Sequence, residues 1–141
     1  MSRKVTHAAA RIKLGLQDVL KMGNLEAKRD WGFAGDYVEA MWMMLQQEKP
    51  EDYVIATGAA HSVKYLISIS FSHMGLNWEE YVVKDQGLIR PAEVDYLLGN
   101  PTKAREKMGW KPKLSFEEMI RIMVEEDYKI LKNQVSKSGL H

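Results

Sequence analysis

At 141 residues the chain is one domain's worth of sequence, long enough to bury roughly two-thirds of the surface that its unfolded form exposes. Its 20 Lys and Arg stand against 19 Asp and Glu, so no overall field recruits nucleic acid or an anionic membrane, and an anion site has to come from local clustering. Cysteine is absent, which excludes disulfides and thiolate metal sites; with no apolar run of bilayer-spanning length and no signal-peptide core after Met1, a soluble cytoplasmic chain is expected.

In chain order, Val5, Ala8, Ala9, Ile12, Leu16, Val19 and Leu20 recur at helical spacing and predict an amphipathic helix over 5–22, with Gly15 a weak point in its middle and Gly23 its end. A loop follows in which Gly23, Gly32 and Gly35 allow unusual backbone, Lys28 and Arg29 bring positive charge beside Asp30, and Asp36 can cap the next helix. Such a loop suits a phosphate, because arginine presents paired donors to paired oxygens. It also suits a plain surface turn in which Arg29 pairs with Asp30 or Asp36 and Trp31 plugs the domain edge.

Val38 to Gln47 reads as a second helix, and Met41 to Leu45, apolar almost all round, predicts burial between layers. Tyr53 to Thr57 predicts a buried strand ended by Gly58. Ser62 caps a third helix that stops at Gly75, and the β-branched end of Trp78 to Val83 predicts a second strand before a turn at Asp85 to Gly87. Pro91 holds Arg90 extended, so that Arg90 and Glu93 project from a loop or simply pair across it. Asn100 and Pro101 open a helix from Thr102 to Met108 that stops at Gly109. Ser115 and Glu118 have capping-box spacing ahead of a terminal helix over about 116–132, which leaves 133–141 as a flexible tail.

The order is that of a helix-rich α/β unit with too few strands for a complete doubly wound sheet. His7, His61, His73 and His141 lack metal-ligand spacing and receive no role. The adjacent pairs Glu79 and Glu80, Glu117 and Glu118, and Glu125 and Glu126 point apart on a helix and read as solvated faces. Trp110 reads as a wedge between the last helices.

The runs from Ser2 to Thr6, from Asn24 to Tyr37, and from Arg90 to Asp95 with Gly99 to Ala104 resemble, in this order, the GDP-mannose 4,6-dehydratase family of extended short-chain dehydrogenases/reductases. The run from Gly109 to Pro112 is similar to an element found across the extended class. The resemblance implies a C-terminal, substrate-binding lobe, over 1–132, that lacks the N-terminal Rossmann half. It implies Lys4 and Arg29 near the diphosphate of a GDP-sugar, Asn24 within reach of the GDP pocket, Arg90 on a phosphate or ribose oxygen, and Glu93 accepting from ribose hydroxyls.

In the complete enzyme of that family, NADP oxidises the sugar at C4, water leaves across C5 and C6, and hydride returns to C6, giving GDP-4-keto-6-deoxy-mannose. The glycine-rich turn for NADP, the tyrosine and lysine pair and the threonine and glutamate of the elimination have no counterpart in this sequence. No catalytic residue is assigned, and the chain alone is expected to hold no NADP and to be inactive. The expected partners are GDP-mannose or GDP, and a second copy or the missing half. The segment between Trp78 and Arg90 is shorter than in the family. Two rival readings are a non-catalytic GDP-binding module working with a full-length relative and a structural helical interaction protein.

Overall fold

The computed structural model describes residues 1–89 and 94–138. Along them run α1 (Ser2–Lys13), β1 (Leu20–Met22), β2 (Lys28–Asp30), α2 (Ala34–Leu45), β3 (Ala60–Ser62), α3 (Val63–His73), β4 (Val82–Lys84), α4 (Thr102–Met108) and α5 (Phe116–Ser138). Short 3-10 turns occupy Trp78–Glu80 and Gln86–Leu88.

The first helix is shorter than its periodicity suggested. Gly15 takes a φ of +68°, and the N–H groups of Gly15 and Leu16 donate to the carbonyls of Ile12 and Arg11 at 3.0 and 2.9 Å. These two bonds close a helix on a left-handed residue, so the glycine that read as a mid-helix defect is the terminator. Leu20 and Met22, which continued the helical period, are the two buried positions of β1. That strand lies parallel to β4, with Leu20 opposite Val82, while β2 runs antiparallel to β3, with Arg29 opposite His61.

The principal core lies between α1, α3 and α5, where Val5, Leu66, Ile67, Phe71, Ile120 and Val124 are sealed from solvent. Inside it the Thr6 hydroxyl donates to the Asp127 carboxylate at 2.7 Å, giving a buried charge the partner it requires. Helix α3 is capped as expected, the Ser62 hydroxyl accepting from the Tyr65 N–H at 3.1 Å. At the start of α5 the capping box is reciprocal: the Glu118 N–H donates to Ser115 Oγ at 3.2 Å and the Ser115 N–H to Glu118 Oε2 at 2.8 Å. The helix runs to Ser138, past the expected end at 132, and the Ser136 hydroxyl bonds back to the Lys132 carbonyl at 2.9 Å.

A second, smaller cluster joins α2 to α4 through Ala40, Ala104, Met108 and Trp110. Trp110 is a wedge, but between α2 and α4 and not between the last two helices, its indole N–H donating to the Asp36 carbonyl at 2.9 Å. Asp36 does not cap α2: the helix begins earlier, after Phe33, and the buried Asp36 carboxylate accepts from the Lys113 backbone N–H at 3.0 Å.

Two further expectations fail here. Val38, Met41, Trp42 and Leu45 are 62%, 59%, 62% and 82% exposed, so the apolar stretch of α2 is covered on one side only, by α4. An all-round apolar helix tells that two faces can be covered, not that both are covered by the same chain. Tyr53 to Thr57 joins no ladder among the described residues, because β-forming side chains need a neighbouring strand as well as propensity. It is held at its end by Asp30 and by Gly99, which passes so near Ala56 that a Cβ on it would overlap the alanine.

Candidate functional site

The glycine-rich loop is shaped by close passage. Gly23 lies against the Leu88 carbonyl, where an added Cβ would come within 2.7 Å, so the loop and the turn at Gln86–Leu88 run in contact. Asn24 comes next. Its Oδ1 accepts from the Glu26 N–H at 3.0 Å, folding the loop on itself, and its Nδ2 donates to Asp95 Oδ1 at 3.3 Å.

The strand that carries Arg29 joins the same strip of chain. The Lys28 N–H donates to the Asp95 carbonyl at 2.7 Å, and the Leu97 N–H donates to the Lys28 carbonyl at 3.0 Å. That carbonyl also receives Arg29 Nη1 at 2.8 Å. Asn24 and Arg29 are therefore gathered along the segment from Asp95 to Leu97, although about seventy residues of sequence lie between.

Lys4 meets the other ladder, that of β1 and β4. Its ammonium donates to the Lys21 carbonyl at 2.8 Å, tying α1 to β1, and it lines a shallow depression of about 410 Å³ with Arg3, His7 and Gln17. Arg3 of this group is turned toward Asp127, 3.7 Å away. Arg90 and Glu93 lie outside the described residues. On either side of them, Leu88 rests beside Gly23 and Asp95 beside Asn24.

Neither aspartate named as a partner for Arg29 has an idle carboxylate. Asp36 receives the Lys113 N–H, while Asp30 receives four donors: the Thr57 N–H at 2.9 Å, the Thr57 hydroxyl at 2.6 Å, the Gly58 N–H at 3.0 Å and the Gly99 N–H at 3.3 Å. The Arg105 guanidinium closes the knot by donating to the Thr57 carbonyl at 2.8 Å. Tyr37 stands beside it, its phenol pushed above the ordinary tyrosine value first by burial and then by the charges of Asp30 and Asp36.

An aromatic ladder flanks the loop. Trp31 stacks on Phe116 at 5.5 Å, His61 stacks on the same ring at 4.2 Å with planes 4° apart, and Tyr65 lies 5.7 Å from His61. Trp31 packs half-buried against the principal core. His61 gained no role from sequence because its place opposite Arg29 depends on the β2 and β3 register, which spacing along the chain does not reveal.

Dinucleotides bind where a glycine-rich turn links a strand to a helix N-terminus. Among the described residues β3 passes straight into α3 through Ser62, β1 leads to the Asn24 loop and β4 to a 3-10 turn, while β2 runs through Gly32 into α2, where the Tyr37 and Phe33 rings take the space beside Gly32 and Gly35. No helix among the described residues is long and apolar enough to cross a membrane.

This arrangement is the fold of a lobe from the extended short-chain epimerases and dehydratases. It superposes on the RMD of Pseudomonas aeruginosa, solved with NADPH, with a TM-score of 0.81 at 21% identity, over 92% of this chain and 42% of that one. It superposes on a UDP-glucose 4-epimerase of Thermotoga maritima, solved with UDP-glucose, with a TM-score of 0.74 at 27% identity, over 90% and 40%. Within that class the chain belongs to the GDP-mannose 4,6 dehydratase family, whose sequence model matches residues 1–123. It is 56% identical to GDP-mannose 4,6 dehydratase 2 of Arabidopsis thaliana and 44% identical to the human GDP-mannose 4,6 dehydratase, over 95% and 94% of its own length. It spans 36% and 40% of those two relatives.

Proposed function

We propose that this chain is the GDP-sugar-binding part of a GDP-mannose 4,6-dehydratase, and that it supplies grip on the nucleotide while the hydride and elimination chemistry resides in the remainder of the fold. What carries the reading is the gathering of Asn24 and Arg29 on the strip from Asp95 to Leu97, within a chain matched by the family over residues 1–123. A guanidinium carried on a short ladder has the planar, paired donor geometry that matches phosphate oxygens. Lys4 adds a point charge, and Arg90 and Glu93 complete the pocket on the phosphate and ribose side.

The complete enzyme uses NADP and works in the cytoplasm on the route to GDP-fucose, as a lyase. This chain takes GDP-mannose or GDP, and the binding lobe is residues 1–132, with the last turns of α5 lying beyond it. The exposed stripe of Val38, Met41, Trp42 and Leu45 beside the unladdered Tyr53 to Thr57 favours a lobe that works in association, with the missing N-terminal half or a second copy.

Calorimetric titration of GDP tests the grip. Arg29→Lys keeps the charge and loses the fork, so its affinity falls several-fold; equal affinities at equal ionic strength remove Arg29 from the site. For the chemistry, the purified chain incubated with GDP-mannose and NADP yields no keto product until the separately produced N-terminal half is added. Turnover by the chain alone sinks the division of labour.

A further inference from the structure

Asp30 is engaged by more donors than any turn needs. Its carboxylate draws together three stretches remote in sequence: β2, the corner at Thr57 and Gly58, and Gly99. An ionised carboxylate is acceptor-only and has room for all four bonds, so each oxygen is satisfied twice. The bond from Gly99 matters most for the site. It pins the chain just beyond Leu97, and Leu97 in turn donates to the Lys28 carbonyl on which the Arg29 guanidinium is docked.

We propose that Asp30 is a positioning residue: by clamping Gly99 and the Thr57 corner to β2 it fixes the direction in which Arg29 presents its guanidinium. Its link to the nucleotide rests on the reading of Arg29 as a phosphate contact. Asparagine is the informative replacement, because its amide turns one acceptor oxygen into a donor group facing N–H groups that are donors themselves. The clamp then loosens at one oxygen while size and shape are kept.

The experiment has an arm without ligand and an arm with it. In the ligand-free chain, the side-chain Nε–H resonance of Arg29 and the amide exchange of Gly58 and Gly99 are followed by NMR in wild type and Asp30→Asn. The variant is expected to shift and broaden the Arg29 resonance and to speed exchange at both glycines. With ligand, Asp30→Asn weakens GDP about tenfold, the size of one charge-assisted hydrogen bond, and leaves guanosine affinity unchanged. In an Arg29→Lys background the same change adds little.

An unchanged Arg29 resonance overturns the proposal, as does an equal loss for GDP and guanosine, or a loss as large in the Arg29→Lys background as in wild type. If Asp30→Asn fails to fold, Thr57→Val serves instead: it deletes the single hydroxyl donor at constant shape, and an undisturbed Arg29 resonance in that folded variant overturns the proposal too. Should wild type have no affinity for GDP, the phosphate reading of Arg29 fails, and the ligand-free arm still decides whether Asp30 directs it.

Discussion

In the bundle of α1, α3 and α5, Val5, Phe71, Ile120 and Val124 are sealed by one another; on α2, Val38, Met41, Trp42 and Leu45 are just as regularly spaced and stand open. Within each bundle helix the buried positions, such as Val5, Ala8, Ala9 and Ile12 on α1, follow the same i, i+3, i+4 rule as the α2 stripe. The difference is in the partner. The bundle contains all three helices that its faces need, whereas α2 has α4 on one side and nothing among the described residues on the other. Apolar periodicity thus identifies surfaces that require covering and is silent on whether the cover belongs to the same chain.

The sharpest test of this contrast sets one residue of each region against the other. Ile120→Ala, in the sealed bundle, should cost about 2–5 kcal/mol in urea denaturation, from lost burial and the cavity left behind. Trp42→Ala removes a larger side chain and should stay within about 0.5 kcal/mol, since its ring is already largely in water. A comparable loss at both sites would mean that the α2 stripe is covered in solution. Sedimentation of Leu45→Lys would then tell how, because a charge on the stripe disperses any self-association that it drives.

A smaller effect probes the buried contact between Thr6 of α1 and Asp127 of α5. Thr6→Val preserves shape and removes the hydroxyl that reaches Asp127, leaving a buried carboxylate oxygen short of a donor. The expected loss is about 1–3 kcal/mol. Pairing it with Asp127→Asn in a double-mutant cycle separates the bond from general disturbance, and strictly additive losses would show that the two groups do not depend on each other.

Much of this was legible in the sequence wherever a local rule decided the outcome. Ser62, Ser115 with Glu118, Gly75 and Gly109 start or stop helices where capping chemistry said they would, because a cap is satisfied within a few residues of itself. Gly15 was misjudged because it obeys the same rule as Gly75 while the apolar period runs on past it into β1. The site was legible only in its membership. The resemblance picked out Asn24 and Arg29, but their meeting at Asp95 to Leu97 depends on long-range bonds that no local pattern encodes. Asp30 was seen as an ion-pair partner for its neighbour, since nothing in the sequence announces that Thr57, Gly58 and Gly99 will arrive at its carboxylate. The exposed stripe is the complementary error: the pattern was right, and the inference of burial assumed a layer that is not found among the described residues.

The least effect expected is a pH dependence at the edge of the bundle, where the Tyr65 hydroxyl donates to Glu117 Oε1 at 2.8 Å and links α3 to the first turn of α5. The Glu117 carboxyl is held below its usual range, first by its own backbone N–H at the helix start and then by Tyr65. A carboxyl depressed in the folded state adds stability that is present above its unfolded value, about 4.3, and is lost as pH falls through the folded one. The Tyr65 phenol is raised, chiefly by the same bond, so its contribution is present below about 10 and is lost as pH rises through its folded value. The link is therefore whole at neutral pH and fades toward both ends. Both groups are largely exposed and screened, which limits the pair to roughly 0.2–1 kcal/mol. Melting curves of wild type and Glu117→Gln between pH 3 and 7 should consequently converge in acid, where the wild-type carboxyl is protonated and equivalent to the amide, and separate by a degree or two near neutrality. Curves that run parallel across the range would place the Tyr65 contact outside the forces that hold α3 to α5.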